Sequence, residues 1–109
     1  MAKELGATHT INSLNENWVD KVHEITNGEG VDFAIDTTGI SAIMHQAITA
    51  LASGGHLAPI AGHAKTLEFM HWNQITALQK TIDGVLRGES IPQIGILTLI
   101  ELWQDRHIP

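Results

Sequence analysis

Cysteine is absent from the 109 residues. Its absence excludes disulfides and thiolate-bound metals and fixes no redox compartment. Basic residues are scarce as well: six Lys and Arg stand against twelve Asp and Glu, for a formal charge of −6. Nucleic acid and anionic membrane surfaces both ask for a basic patch, so neither is expected as a partner. Apolar runs are short, and none approaches the ~18 residues of a membrane span. The opening MAKELGATH carries no signal-peptide core. A cytoplasmic protein with no membrane partner is the expectation. Several motifs are missing too. There is no HExxH, no GxSxG and no P-loop, so the commonest sequence signatures of metalloprotease, serine-hydrolase and nucleotide-triphosphate chemistry are not here.

What is present reads as one small α/β domain spanning residues 1–109, with 43% hydrophobic residues. The organising stretch is VDFAIDTTG, from Val31 to Gly39. Val31, Phe33 and Ile35 alternate with Asp32, Ala34 and Asp36, and the run breaks at Thr37-Thr38-Gly39. Alternation stopped by glycine predicts a strand ending in a turn. A helical pattern follows at once, which makes a strand–loop–helix corner of the kind that builds parallel sheets and binds ligands at their carboxyl edge.

The rest of the chain repeats that rhythm. Ala2 to Leu5 reads as the tail of a helix stopped by Gly6, and Thr8 to Ile11 as a short strand. Asn15 is placed to cap a helix from about Glu16 to Ile25, with Trp18, Val22 and Ile25 on its buried face. Ser41 is placed to cap a second helix with the stripe Ile43, Ala47, Ile48 and Leu51, ended by Gly54-Gly55. His56 to Ile60 is the next strand, in which Pro59 predicts an unpaired position or a distortion. Leu67 to Trp72 reads as extended, Asn73 to Gln79 as one or two helical turns, and Thr81 to Leu86 as a further strand. Ser90 is placed to cap a last helix from about Pro92 to Gln104, apolar nearly all round.

The phrases AKELGATHTINS, GVDFAIDTTG, ALASGGHLAPIAG, KTIDGVLRGES and LIELW, in that order, resemble the dinucleotide-binding domain of the medium-chain, zinc-dependent alcohol dehydrogenases. The tail GESIPQIGILTLIELWQDRHIP looks most like the aryl- or benzyl-alcohol branch. The resemblance covers essentially the whole chain. It implies a partial Rossmann-like, doubly wound fold: a mostly parallel sheet of about four strands with flanking helices, the family's third to sixth. The family's GxGxxG turn, which carries the cofactor pyrophosphate on a helix N-terminus, has no counterpart here. Nor have the acidic ribose-binding residue and the zinc-binding catalytic domain. In the family's order the third strand is separated from the fourth by two strands without a counterpart here. The stretch from Thr8 to Ile11 is therefore left to slide beside Val31 to Asp36, to pair with a second chain, or not to form.

The resemblance also suggests where NAD(P) would touch. Thr37 and Thr38 match positions packed on the adenosine half. Read alone, they are a turn whose hydroxyls cap the following helix. Ile60, Ala61 and Gly62 match the segment lining the nicotinamide pocket, and read alone they end a strand. Val85, Leu86 and Arg87 match the segment whose backbone meets the carboxamide, although a lone Arg87 also reads as solvated. No catalytic residue and no metal ligand is assigned, and zinc belongs to the family's other domain. Asp32 and Asp36 share one face of their strand, opposite Phe33 and Ile35, with no partner that would make either a general base. The seven histidines contain no pair within four residues. Of these, His63 and His71 flank a loop that could bring them together.

Two functions of different class follow. One is part of an NAD(P)-binding domain of a zinc-type alcohol dehydrogenase, an oxidoreductase passing hydride between an alcohol and nicotinamide, inactive alone. The other is a non-catalytic homo-oligomeric α/β module. A dimer is expected through the edge from Thr66 to Trp72, which the resemblance marks as a joining segment, or through the helix from Ile91 to Trp103. A histidine-based metal or small-ligand protein is a third reading.

Overall fold

The computed structural model describes residues 1–62 and 66–108. The chain divides into two compact units, Ile11–Val85 and a second made of Met1–Thr10 with Leu86–Pro109.

The larger unit holds α1 (Trp18–Ile25), β1 (Val31–Asp36), α2 (Ser41–Ala50), β2 (Leu51–Pro59) and β3 (Thr81–Ile82). The three strands are parallel and lie in the order β1-β2-β3. The expected four strands are thus three among the described residues. Thr8 to Ile11 adopts no strand, because a strand exists only where a neighbour takes up its hydrogen bonds, and these residues have none. β3 is also shorter than the expected Thr81 to Leu86. One further bond, from the Asp83 amide to the Leu57 carbonyl (2.8 Å), carries the pairing just past Ile82 before Gly84.

β2 begins five residues earlier than the sequence suggests. α2 passes straight into extended backbone at Leu51, so Gly54-Gly55 is not a helix stop but part of an irregular strand entry. The pairing steps from Val31↔Leu51 to Phe33↔His56, which leaves an excess of β2 residues looped out. Glycine is required nearby. At Gly30 (φ 89°) a Cβ would stand 2.5 Å from the Ala50 carbonyl oxygen. Pro59 lies opposite Asp36. The Ile60 amide points to β1, so the Pro59 nitrogen faces the β3 side, beyond the last paired residues Leu57 and Ile82. The missing N–H therefore interrupts no recorded bond, as the sequence anticipated.

The core is formed by Ala47, Ile48, Leu51 and Leu57, with Trp18, Ala34, Leu67, Ile75 and Ile82 packed around it. α2 lies against the Ala34–Leu57 face of the sheet, and α1 packs on α2. Phe33 and Ile35 point the other way and are 76% and 69% exposed. Parallel sheets ordinarily have both faces covered, and this one is covered on a single face among the described residues.

Three helix starts differ from expectation. Asn17, not Asn15, caps α1, its side chain accepting from the Val19 and Asp20 amides. Val19 is the buried residue of that helix, while Ile25 is exposed. Ser41 is the first residue of α2 rather than its cap, and its hydroxyl donates to the Thr66 carbonyl (3.1 Å). The wide turn His71–Thr76 begins two residues before the expected Asn73. Its neighbour, the stretch from Leu67 to Met70, is irregular.

In the smaller unit, the Leu5 amide donates to the Met1 carbonyl (3.1 Å) in one turn ending at Gly6 (φ 104°). α3 (Pro92–Gln104) matches its expected span. Ser90 does not cap it, because its hydroxyl turns back to the Arg87 carbonyl (2.7 Å). None of the α3 residues is buried. No helix among the described residues is long and apolar enough to cross a membrane.

Candidate functional site

The candidate residues of the larger unit gather at the carboxyl edge of its sheet. Thr37 and Thr38 follow β1 directly, and Ile60, Ala61 and Gly62 follow β2. Because β1 and β2 are adjacent and parallel, both segments leave the sheet side by side. The Ile60 amide, donating to the Asp36 carbonyl at 3.0 Å, ties them together. Thr37, Thr38, Ile60 and Gly62 are exposed, and Ala61 is half-buried. A Cβ on Gly62 would meet nothing within 4 Å among the described residues. This edge offers hydroxyls, free space and an apolar side chain, a surface that suits part of a dinucleotide.

Asp36 is the residue that the spacing of the candidate positions did not single out. It is only 4% exposed. One carboxylate oxygen accepts from the Thr38 amide (3.0 Å) and the Thr38 hydroxyl (2.6 Å), and the other accepts from the Gly39 amide (2.9 Å). Burial alone would push its carboxyl up, but the Thr38 and Gly39 hydrogen bonds together outweigh burial and hold it below the ordinary aspartate value. The Thr38 hydroxyl also accepts from the Ile40 amide (3.2 Å), at the entrance to α2. The order Asp-x-Thr-Gly is the signal that a side chain will close such a turn.

The other candidates are placed differently. Val85 ends the larger unit, half-buried, three residues beyond β3. Leu86 and Arg87 belong to the smaller unit. Leu86 is exposed, and Arg87 (φ 53°) opens a left-handed turn with Gly88 and Glu89. Arg87 also lines an open groove of about 780 Å³ with Ser90, Ile91, Ile94 and Leu99.

A second cluster lies on the open face of the sheet. His56 Nδ1 is 2.8 Å from an Asp83 carboxylate oxygen, and the His56 ring stacks on Phe33 with centroids 5.6 Å apart. Among the described residues no three His, Cys, Asp or Glu side chains form a group able to hold a metal. His63 lies outside the described residues. His45 shares a hydrogen bond with the Gln74 amide (3.1 Å), and His71 is exposed.

Comparison with known proteins agrees with this geometry. The family model described as "Zinc-binding dehydrogenase" matches residues 1–102. A probable alcohol dehydrogenase of a Pseudomonas species is 38% identical over 91 residues, which is 82% of this chain and 28% of that protein. An NADP-dependent isopropanol dehydrogenase of Clostridium beijerinckii is 37% identical, covering 93% of this chain and 31% of its own. Among solved structures, benzyl alcohol dehydrogenase from Acinetobacter calcoaceticus superposes with a TM-score of 0.91 at 37% identity, over 99% of this chain and 30% of that one. The chain thus spans less than a third of the length of these relatives.

Proposed function

The chain belongs to the zinc-binding dehydrogenase family, and from that premise we propose that it supplies the carboxyl half of an NAD(P)-binding domain. The relatives named as alcohol dehydrogenases support hydride transfer between an alcohol and nicotinamide as the reaction of the whole enzyme. One observation carries the reading for this chain: two adjacent parallel strands end together, with Thr37 and Thr38 beside Ile60, Ala61 and Gly62 and the Ile60 amide bonded to the Asp36 carbonyl. In this proposal the Thr37–Thr38 turn faces the adenosine half of the cofactor, the Ile60–Gly62 segment faces the nicotinamide half, and Val85 adds backbone groups.

The described residues do not fit zinc, so no step is assigned to a metal. The sequence also has no GxGxxG turn to hold the pyrophosphate. Alone, these residues bind NAD(P) weakly and transfer no hydride. The test is a titration of the pure chain with NADH, followed by an assay for alcohol-dependent NADH formation. Weak, saturable binding without turnover supports the proposal, whereas turnover by the chain alone removes its second half.

The second reading is a homo-oligomeric module. It is favoured by exposed apolar surface, uncovered among the described residues: Trp72 is 61% exposed at the edge from Thr66 to Trp72, and Ile94 and Trp103 are each 62% exposed on α3. Light scattering at two protein concentrations tests it. A dimer whose mass is unaffected by NADH, with no NADH bound, favours this reading over the first. A dimeric setting belongs to the proposal through the family resemblance, and a cytoplasmic one through the opening without a signal-peptide core and the short apolar runs.

A further inference from the structure

We propose that Asp36 is the positioning residue of the cofactor-facing edge, its side chain fixing the turn after β1 and its main-chain carbonyl fixing the segment after β2. The inference rests on the cofactor reading above and adds a residue that the reading did not use.

The geometry is specific. Asp36 ends β1 and is more than nine-tenths buried, yet it has no cationic partner among the described salt bridges. Its carboxylate is instead satisfied by three donors from two residues, Thr38 and Gly39, one of them a hydroxyl at 2.6 Å. Hydrogen bonds to an ionised acceptor are the strong ones, and a set of three, one buried and two part-buried, fixes backbone direction over the turn. The same residue's carbonyl accepts from the Ile60 amide. Movement of Asp36 is therefore transmitted to both segments, through the side chain to Thr38 and through the main chain to Ile60. A dinucleotide lying across the two strand ends needs them held at a fixed separation before it arrives. Such preorganisation lowers the ordering cost of binding without any contact between Asp36 and the ligand.

Asp36→Asn keeps the shape and one acceptor oxygen, but it turns an amide N–H₂ toward a main-chain N–H or the Thr38 hydroxyl. The experiment uses the full chain labelled with ¹⁵N. Amide hydrogen exchange is read at Thr38, Gly39 and Ile60 without ligand, and NADH affinity is read well below the melting temperature. In Asp36→Asn, exchange is expected to rise roughly tenfold at all three amides, with NADH affinity falling by a similar factor while the α2 amides keep their protection.

Should Asp36→Asn not fold, Thr38→Val and Thr38→Ser take its place. Thr38→Val removes the 2.6 Å bond to Asp36 together with the acceptor of the Ile40 amide and is expected to speed Gly39 and Ile60 exchange, and Thr38→Ser to restore it. Ligand-free exchange at residues 39 and 60 is blind to any direct contact between Thr38 and cofactor. Unchanged exchange at Ile60, or unchanged NADH affinity in folded Asp36→Asn, overturns the Asp36 proposal and leaves the cofactor reading standing. A wild-type chain that takes no NADH removes the cofactor reading and this role together.

Discussion

The Lys80 ammonium donates to the Ile48 carbonyl oxygen at 2.7 Å, in the last turn of α2. Lys80 is 8% exposed, and its charge faces the negative end of the helix rather than a carboxylate. Burial pulls its pKa below the ordinary lysine value. The helix ends at Ala50 and the chain turns extended at Leu51, so the usual amide donor to Ile48 is displaced and the lysine takes its place.

Lys80→Ala therefore leaves a buried carbonyl without its donor. A destabilisation of about 1–3 kcal/mol is expected in urea unfolding. A Lys80→Ala chain as stable as wild type means the Ile48 carbonyl finds water or another amide.

Asp36 gives the fold an acid limit. Its pKa is lowered in the folded state, so the stability it contributes is complete above the unfolded aspartate value of about 3.9. That contribution is lost as pH falls through the lower folded value. Melting temperature measured from pH 6 down to pH 2 should fall more steeply for wild type than for Asp36→Asn. Parallel curves would show that the carboxylate gains nothing from Thr38 and Gly39.

The strand β1 was legible because its signal is local: alternation in VDFAID followed by a turn residue set. Which side of that strand faces the core was not legible. The larger apolar residues Phe33 and Ile35 lie on the open side, and Ala34 with the carboxylate of Asp36 lies on the helix side. The choice is made by where α1 and α2 pack, a non-local fact. Strand candidates failed for the same reason. Thr8 to Ile11 reads well as a strand and lacks a neighbour, and β3 stops where its pairing with Leu57 stops. Caps were misassigned where a hydroxyl donates to a nearby carbonyl instead of accepting from a helix amide, as with Ser41 on the Thr66 carbonyl and Ser90 on the Arg87 carbonyl. The candidate cofactor residues came from family resemblance, and the structure brings five of the eight to one sheet edge. Asp36 needed coordinates, because its role lies in three simultaneous hydrogen bonds.

The two faces of the sheet predict opposite mutational costs. Leu57 is fully buried and Phe33 is 76% exposed, one residue out of register across β1 and β2. Leu57→Ala should cost about 2–5 kcal/mol. Phe33→Ala should stay within about 1 kcal/mol, having only the His56 stack to lose. Comparable losses in the two variants would mean that something covers the Phe33 face in solution.

Glycines divide in the same way. Gly30→Ala brings a Cβ to 2.5 Å from the Ala50 oxygen and 2.7 Å from the Ala52 nitrogen, both main-chain atoms, at φ 89°. A loss of at least about 2 kcal/mol is expected. Gly84→Ala meets nothing within 4 Å and should be neutral within about 0.5 kcal/mol. Chemical denaturation of the two variants side by side checks both values.

The central claim is that the ends of β1 and β2 form one cofactor-facing edge. The most direct measurement is a residue-resolved NMR titration of the full chain with NADH. The account predicts saturable shifts concentrated at Thr37, Thr38, Ile60, Ala61 and Gly62, with the distant amides of α1 unmoved. Shifts that fail to saturate, or that fall elsewhere in the chain, would contradict it.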